Sequence, residues 1–333
     1  MKTPLKTLAG LVVMGLLMHA PAGAQDASSR PSPRTNGQNF HALQTVKQRR
    51  TILPPDTGPL LYNGGPVMQN GVTPYVIFWV PLKLQNGTTT SMTTHYQTVQ
   101  KNMLGDYSGH GIDNNNTQYY QIVSGKAKYI QNKGAAAAIT YVDTNPFPAS
   151  GCSDSATPGN CITDAQLEAE ISRVMTLKKW TGGITKIFFV YTPIGEGSCF
   201  DSTSSSCAYT AYCAYHSAFG TVATPVIYAN MPYGDPNYCQ NPGTPSPNGD
   251  IPADTAATAA SHELTEAITD PELNAWYTAA GSEIGDLCAY NYGPFYNWDS
   301  GNANQMWNGH FYMLQTEYDN NQLSCVQVGP GPE

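Results

Sequence analysis

Residues 250–271 read DIPADTAATAASHELTEAITDP and carry the most regular helical pattern of this chain. Pro252 is typical of the first turn of a helix, and Asp250 before it is typical of a capping residue. Pro271 ends the pattern, because a proline disfavours helical conformation in the residue before it. The stretch therefore predicts a helix over residues 253–269.

Short apolar runs before this helix predict buried strands. The strongest runs are residues 74–81 (PYVIFWVP), 184–191 (ITKIFFVY) and 224–229 (TPVIYA). Weaker strand patterns cover 127–131, 135–142 and 208–216, and helical patterns cover 89–104 and 163–177. The alternation of strands and helices predicts an α/β (α+β) fold, in which a mixed sheet packs with helices in a single domain over 60–328.

The N-terminus has the organisation of an export signal. Lys2 and Lys6 precede an uncharged apolar run over residues 8–20, and Ala22-Gly23-Ala24 follows it. A run of about 13 residues is shorter than the 20 or so that span a bilayer, and the A-x-A site favours cleavage. Residues 1–24 are therefore predicted to be a signal peptide, and the protein is expected to be secreted, extracellular or periplasmic.

Residues 25–59 are rich in proline, serine and arginine and show little apolar periodicity. Such a composition predicts a flexible leader, and a pro-segment is the alternative. The formal net charge of the whole chain is −8, although basic residues are concentrated in this segment. An acidic body disfavours nucleic acid and anionic membranes as partners. The oligomeric state is not indicated.

The eight cysteines all follow the predicted cleavage site, and none forms a C-x-x-C pair. An even number of cysteines in an exported chain predicts disulfides. Proximity along the chain favours Cys152–Cys161 and Cys199–Cys207, which leaves Cys213–Cys239 and Cys288–Cys325.

The sequence HELTE within the predicted helix carries the candidate chemistry. His262 and Glu266 are four residues apart, so their side chains leave the same face of the helix. An H-E-x-x-H helix binds zinc through its first and last residues and uses the glutamate after the first as a base. By analogy, His262 and Glu266 are predicted zinc ligands and Glu263 the predicted catalytic base. The competing interpretation is a hydrogen-bonded pair on a buried, purely structural helix.

The segment HELTEAITD resembles the active-site helix of the thermolysin-like metallopeptidases, which reads HELTHAVTD. That family has histidine where this chain has Glu266. The resemblance implies a zincin-like fold, a zinc-dependent peptidase-like hydrolase and a third, acidic ligand further along the chain. The corresponding offset falls on Asp286, with Glu283 one turn earlier as the competitor. The resemblance also makes His310 a candidate for stabilising a transition state.

Several patches resemble the EXORDIUM, or phosphate-induced, family of secreted proteins, as a member of bacterial type. They include NGGPVMQNGVTPYVIFWV over 63–80, CAYHSAFG over 213–220, EIGDLCAYNYG over 283–293 and NGHFYMLQTEYDNNQLSC over 308–325. The resemblance implies an extracellular or wall-associated protein linked to growth, without an established reaction. It also makes His216 a candidate extra ligand, or a residue that orients a ligand.

A non-enzymatic protein that binds a cell-wall polymer is the alternative to a hydrolase that acts on peptides. This alternative depends on an aromatic cluster that forms either core or an exposed platform for sugar rings. Its members are Tyr290, Tyr292, Phe295, Tyr296, Trp298 and Trp307.

Overall fold

A computed structural model describes residues 41–49, 56–133, 137–239 and 245–330. The predicted signal peptide, residues 1–24, lies outside these ranges. The α-helices of the described residues are α1 (Val46–Arg49), α2 (Thr94–Asp106), α3 (Asp164–Lys178) and α4 (Ile251–Thr269), and short 3₁₀ helices cover Asp113–Gln118 and Asp286–Cys288.

The strands of the described residues lie between His41 and Val326. In chain order they are β1 (His41–Gln44), β2 (Leu61–Tyr62), β3 (Thr73–Trp79), β4 (Tyr120–Val123), β5 (Lys126–Tyr129), β6 (Ile139–Asp143), β7 (Cys161–Thr163), β8 (Lys186–Tyr191), β9 (Gly197–Cys199), β10 (Tyr212–Thr221), β11 (Thr224–Met231), β12 (Trp276–Tyr277), β13 (Tyr296–Trp298), β14 (Gly301–Ala303), β15 (Gln305–Trp307), β16 (His310–Tyr312), β17 (Glu317–Asp319) and β18 (Ser324–Val326).

Six of these strands form a mixed sheet in the order β1-β10-β11-β8-β3-β6. The strands β11, β8, β3 and β6 run parallel, whereas β10 is antiparallel to both of its neighbours. The mixed sheet packed with helices confirms the α+β class predicted from the alternation of elements.

Strand β8 shows why the apolar runs of this chain do not alternate between apolar and polar residues. Side chains alternate between the two faces of a strand. Ile187 and Phe189 pack with α2 and α4 on one face, whereas Phe188 and Val190 pack with α3 on the other. The central strands are therefore buried on both faces, as is typical of a sheet covered by helices on each side.

Helix α4 is buried along nearly its whole length and packs against α2, β10 and β11. Its alanine and threonine side chains are small and buried in this packing. The carboxylate of Asp250 accepts a hydrogen bond from the Ala253 N–H at 3.0 Å and caps the first turn. The predicted helix over 253–269 is confirmed, and it begins two residues earlier.

Two other predicted boundaries differ from the structure for local reasons. Helix α2 begins at Thr94 rather than near residue 89, because the Thr93 hydroxyl accepts the Tyr96 N–H and starts the helix there. The strand predicted over 208–216 is β10, which begins only at Tyr212. A turn precedes it, in which the Ala211 N–H donates to the Cys207 carbonyl at 2.8 Å.

Residues 41–49 lie within the segment predicted to be a flexible leader, but they are folded onto the sheet. Strand β1 pairs antiparallel with β10, and Leu43 is buried against the core that contains α4. The start of the folded part near Leu60 is thus corrected, because β10 offers an unpaired edge that the local sequence does not reveal. The remaining residues 25–40 and 50–55 of that segment lie outside the described ranges.

All four predicted disulfides are confirmed, and they pair every cysteine of the chain. This complete pairing is consistent with an oxidising, extracellular compartment. None of the helices described here is long and apolar enough to cross a membrane.

Candidate metal centre

His262 and Glu266 of α4 meet in the interior, as their spacing predicts. The Nε2 atom of His262 lies 3.0 Å from Oε1 of Glu266, and both side chains are fully buried. Although the distance is short, Nε2 of His262 makes no hydrogen bond within the described residues. The two groups therefore approach each other without the alignment that a hydrogen bond requires.

Asp286 joins this pair from a short 3₁₀ turn, Asp286–Cys288. Its Oδ1 lies 3.9 Å from Nε2 of His262, and its backbone N–H donates to Oε1 of Glu266 at 3.0 Å. One ligand atom from each of the three residues lies within 4.8 Å of the others. Two ligands of a tetrahedral zinc ion are about 3.4 Å apart for metal–ligand distances of about 2.1 Å. The observed separations bracket that value.

Gln315 and Gly285 hold the imidazole of His262 in this position. The Gln315 Nε2 atom lies 2.9 Å from Nδ1 of His262, and it donates to the Gly285 carbonyl at 3.0 Å. A Cβ atom on Gly285 would lie 2.6 Å from Nδ1 of His262, so a larger residue does not fit here. The ring is thus fixed with Nε2 directed towards Glu266.

A second imidazole, that of His216 on β10, lies on the other side of Glu266. Its Nδ1 is 3.5 Å from Oε2 of Glu266 and 3.2 Å from Oε2 of Glu263. Its Nε2 is 3.7 Å from Oε2 of Glu283. The two competing acidic candidates therefore approach different histidines: Asp286 approaches His262, and Glu283 approaches His216.

The predicted base, Glu263, belongs to helix α4, and its side chain is fully buried against strands β1 and β10. Its Oε2 faces His216, and its Oε1 accepts a hydrogen bond from the backbone N–H of Leu43 on β1 at 3.3 Å. A residue of the predicted leader thus contacts the candidate centre directly.

His310 is placed with helix α2 by its hydrogen bonds. Its Nδ1 lies 2.7 Å from Oδ2 of Asp106, and its Nε2 lies 3.1 Å from the amide nitrogen of Asn102. Neither partner is a member of the His262 group, and the imidazole is 41% exposed, in contrast to the buried histidines. The predicted catalytic role of His310 stays a prediction.

The electrostatics of the centre are dominated by burial and by mutual charge. Burial lowers the pKa of His262, but the negative charge of Glu266 outweighs it and raises this pKa to about 10. The pKa of His216 is raised to about 9 in the same way, against the effect of burial, by Glu263 and Glu266. Burial and the charge of Glu266 raise the pKa of Asp286 to about 7. Burial would also raise the pKa of Glu266, but the two histidines hold it well below its ordinary value.

The aromatic cluster of the C-terminal region divides into core and surface. Tyr292 and Trp307 are buried, whereas Phe295, Tyr296 and Trp298 are exposed on and next to β13. The rings of Trp298 and Phe311 lie 5.3 Å apart. The core interpretation is thus confirmed for Tyr292 and Trp307, whereas a role of the exposed rings as a platform for sugar stays a prediction.

Sequence reasoning missed two residues that shape the centre, Gln315 and Gly285. Neither has a local signal, because each acts on His262 from a distant part of the chain. His216 was suggested only by the resemblance of its patch to a family.

Comparison with known proteins supports the family resemblance over a limited stretch. No protein-family model matches the chain, and no solved structure matches it. Protein EXORDIUM-like 5 of Arabidopsis thaliana is 38% identical over 69 residues, which is 19% of this chain and 19% of that protein. The chain thus matches about a fifth of the relative's length. Over that stretch it is similar to a protein of the EXORDIUM family.

Proposed function

We propose that this chain is a secreted EXORDIUM-like protein with a divalent-metal centre, in which His262, Glu266 and Asp286 bind zinc. The observation that carries the proposal is the geometry at Nε2 of His262. This buried atom lies 3.0 Å and 3.9 Å from two carboxylate oxygens, and it makes no hydrogen bond within the described residues. Ligand atoms that share a cation point at a common position rather than at each other. The zincin-like interpretation of helix α4 belongs to this proposal.

The chemistry of the donor set favours zinc among the common divalent ions. Imidazole suits zinc and the later transition metals, whereas calcium and magnesium prefer oxygen ligands. All cysteines are in disulfides, so the chain offers imidazole and carboxylate rather than thiolate. Secretion is supported by the signal-like N-terminus, the four disulfides and the EXORDIUM resemblance.

Metal analysis of the purified, oxidised protein tests the proposal. Wild type is stripped with a chelator, reloaded with Zn²⁺ at neutral pH, freed of excess metal and measured by elemental mass spectrometry. We expect bound zinc in wild type and its loss in Glu266→Gln. His310→Gln is the matched control, because it changes a histidine that pairs with Asp106 instead. Zinc-free wild-type protein would refute the proposal.

A peptidase-like hydrolase is the catalytic form of this proposal. A divalent ion supplies Lewis-acid chemistry at such a site. Glu263 would take a proton from water only after it gives up its contact with Leu43 or with His216, because both of its oxygens are engaged. Among the predicted ligands, His262 and Glu266 are fully buried, whereas the side chain of Asp286 is 19% exposed, so the solvent-facing side of the centre is at Asp286.

Hydrolysis is tested with casein and peptide libraries on zinc-loaded wild type and Glu263→Gln. We expect cleavage by wild type and at least a hundredfold loss in the variant, as is typical when a general base is removed. Intact substrates with zinc-loaded wild type would refute catalysis and leave metal binding in place.

Binding of a cell-wall polymer is the second candidate function, and the exposed aromatic rings favour it. Tyr296 is 67% exposed and Trp298 38% exposed, and their ring centroids lie 6.4 Å apart on one strand. Exposed aromatic rings of this kind can stack on sugars. We expect Trp298→Ala to weaken retention on wall polysaccharide. Met306→Ala, which changes an exposed side chain of β15, should leave it unchanged. Equal retention of wild type and Trp298→Ala would contradict this candidate.

A further inference from the structure

The carboxylate of Glu266 lies between two buried imidazoles, and each of its oxygens faces one of them. Oε1 is 3.0 Å from Nε2 of His262, and Oε2 is 3.5 Å from Nδ1 of His216. Oε2 makes no hydrogen bond within the described residues, although it is fully buried. A single glutamate is thus shared by two groups of potential ligands.

The second group has the composition of a metal site in its own right. Nδ1 of His216 and one oxygen each from Glu263 and Glu266 lie within 4.8 Å of one another. The 3.2 Å and 3.5 Å separations from Nδ1 are close to the spacing of about 3.4 Å expected for two ligands of one tetrahedral zinc. On its other side, Nε2 of His216 lies 3.4 Å from the Asp270 carbonyl, a contact that orients many metal-binding histidines.

The formal charges also match two cations better than one. Four carboxylates, those of Glu263, Glu266, Glu283 and Asp286, lie within 4 Å of an imidazole nitrogen. With neutral imidazoles, one divalent ion leaves two of these four negative charges uncompensated, whereas two divalent ions balance the four. The carboxylates of Glu317 and Asp270, which are also fully buried and interact with members of this group, add further negative charge. An uncompensated buried charge is costly in the interior of a protein.

We infer that Glu266 bridges two divalent cations, one bound by His262 and Asp286 and the other by His216 and Glu263. The inference rests on the proposed metal centre and extends it to a two-metal site, in which the ions are typically about 3.5–4 Å apart. Glu263 is then a ligand of the second cation. The second cation would also join α4 to β10, next to the strand β1 that contacts Glu263 through Leu43.

Metal stoichiometry separates this inference from the proposed function. The full-length oxidised protein is stripped, reloaded with Zn²⁺ or Mn²⁺, and weighed by native mass spectrometry. We expect two zinc ions per wild-type chain, one in Glu263→Gln and one in His262→Gln. We expect none in Glu266→Gln, because both sites lose a ligand. His310→Gln should retain both ions.

The manganese-loaded protein gives a second readout that does not depend on the stability of any variant. Two Mn²⁺ ions bridged by one carboxylate produce an exchange-coupled paramagnetic resonance spectrum, whereas separated ions produce the spectrum of isolated Mn²⁺. If wild type bound one zinc ion per chain and Glu263→Gln still bound it, the second site would be overturned and the proposed function would be left intact. No bound metal in wild type would overturn both. Two ions without coupling would overturn the bridge.

Discussion

The substitution Gly285→Ala tests whether the ring of His262 is held as the structure shows. A Cβ atom at this position would lie 2.6 Å from Nδ1 of His262 and 3.0 Å from Oε1 of Glu266. Optimal contacts between heavy atoms are about 3.5–4.0 Å long, so the imidazole must move. Nδ1 is also the ring atom that lies 2.9 Å from Nε2 of Gln315, so a shift of the ring disturbs that contact. The backbone of Gly285, at φ −76° and ψ −38°, is favourable for alanine, so the effect is purely steric.

Overpacking of this kind costs about 1–3 kcal/mol, and we expect the free energy of unfolding to fall by that amount. Displacement of the ring should also weaken zinc binding about tenfold or more, which corresponds to about 1.4 kcal/mol. Urea unfolding measures the first quantity through the midpoint at constant slope, and competition with a chelating dye measures the second.

Gly105→Ala is the matched control, because the nearest atom to its added Cβ is the Ala138 nitrogen at 3.5 Å. Gly105 lies inside helix α2, so alanine should stabilise the protein by about 0.5–1 kcal/mol. The two identical substitutions are thus expected to have opposite signs. If Gly285→Ala were as stable as Gly105→Ala and bound zinc with wild-type affinity, the described packing around His262 would be refuted.

Three further predictions concern the disulfides and the buried titratable groups. Replacing Cys288 and Cys325 by serine opens a loop of sequence separation 37 and should cost about 4 kcal/mol. It should also weaken zinc binding, because Cys288 ends the turn that begins at Asp286. The same change at the Cys199–Cys207 disulfide should leave the affinity for zinc unchanged. Zinc binding near neutral pH should release a proton, because Glu266 raises the pKa of His262 to about 10 against the effect of burial. Calorimetry in buffers of different ionisation enthalpy measures this release, and its absence would contradict the prediction. Burial raises the pKa of Glu196 to about 8 from 4.5, so this residue makes stability fall as pH rises between those values. Glu196→Gln should therefore stabilise the protein increasingly from pH 4.5 to 8, and a gain that does not depend on pH would contradict the assignment.

The local patterns of this sequence were sufficient for most of the central elements. Strand β8 and helix α4 were predicted because each carries its own signal, an apolar run in one case and a capped helix before a proline in the other. Two of the cysteine pairs, Cys152–Cys161 and Cys199–Cys207, were predicted from proximity along the chain, and the other two were the pairs that remained. The edge strand β1 was missed, because its pairing partner β10 lies far away in the sequence and its own residues are not distinctive.

The candidate site shows the same division between local and distant information. The contact between His262 and Glu266 follows from helical geometry alone, and family resemblance directed attention to Asp286, Glu283 and His216. The positions of Gln315 and Gly285 were not predicted, because residues that shape a pocket from separate loops have no common periodicity.

By itself, the sequence determined which residues enter the helices and most of the sheet, which cysteines close to each other in the chain form pairs and which face of α4 carries His262 and Glu266. These features depend on short-range geometry and on the burial of apolar side chains. Only the tertiary structure decided that Glu266 lies between two imidazoles, that Glu283 and Asp286 approach different histidines, and that Leu43 contacts Glu263. Those contacts depend on how β1, β10 and the 3₁₀ turn pack around α4, and packing between distant segments leaves no periodic trace in the chain.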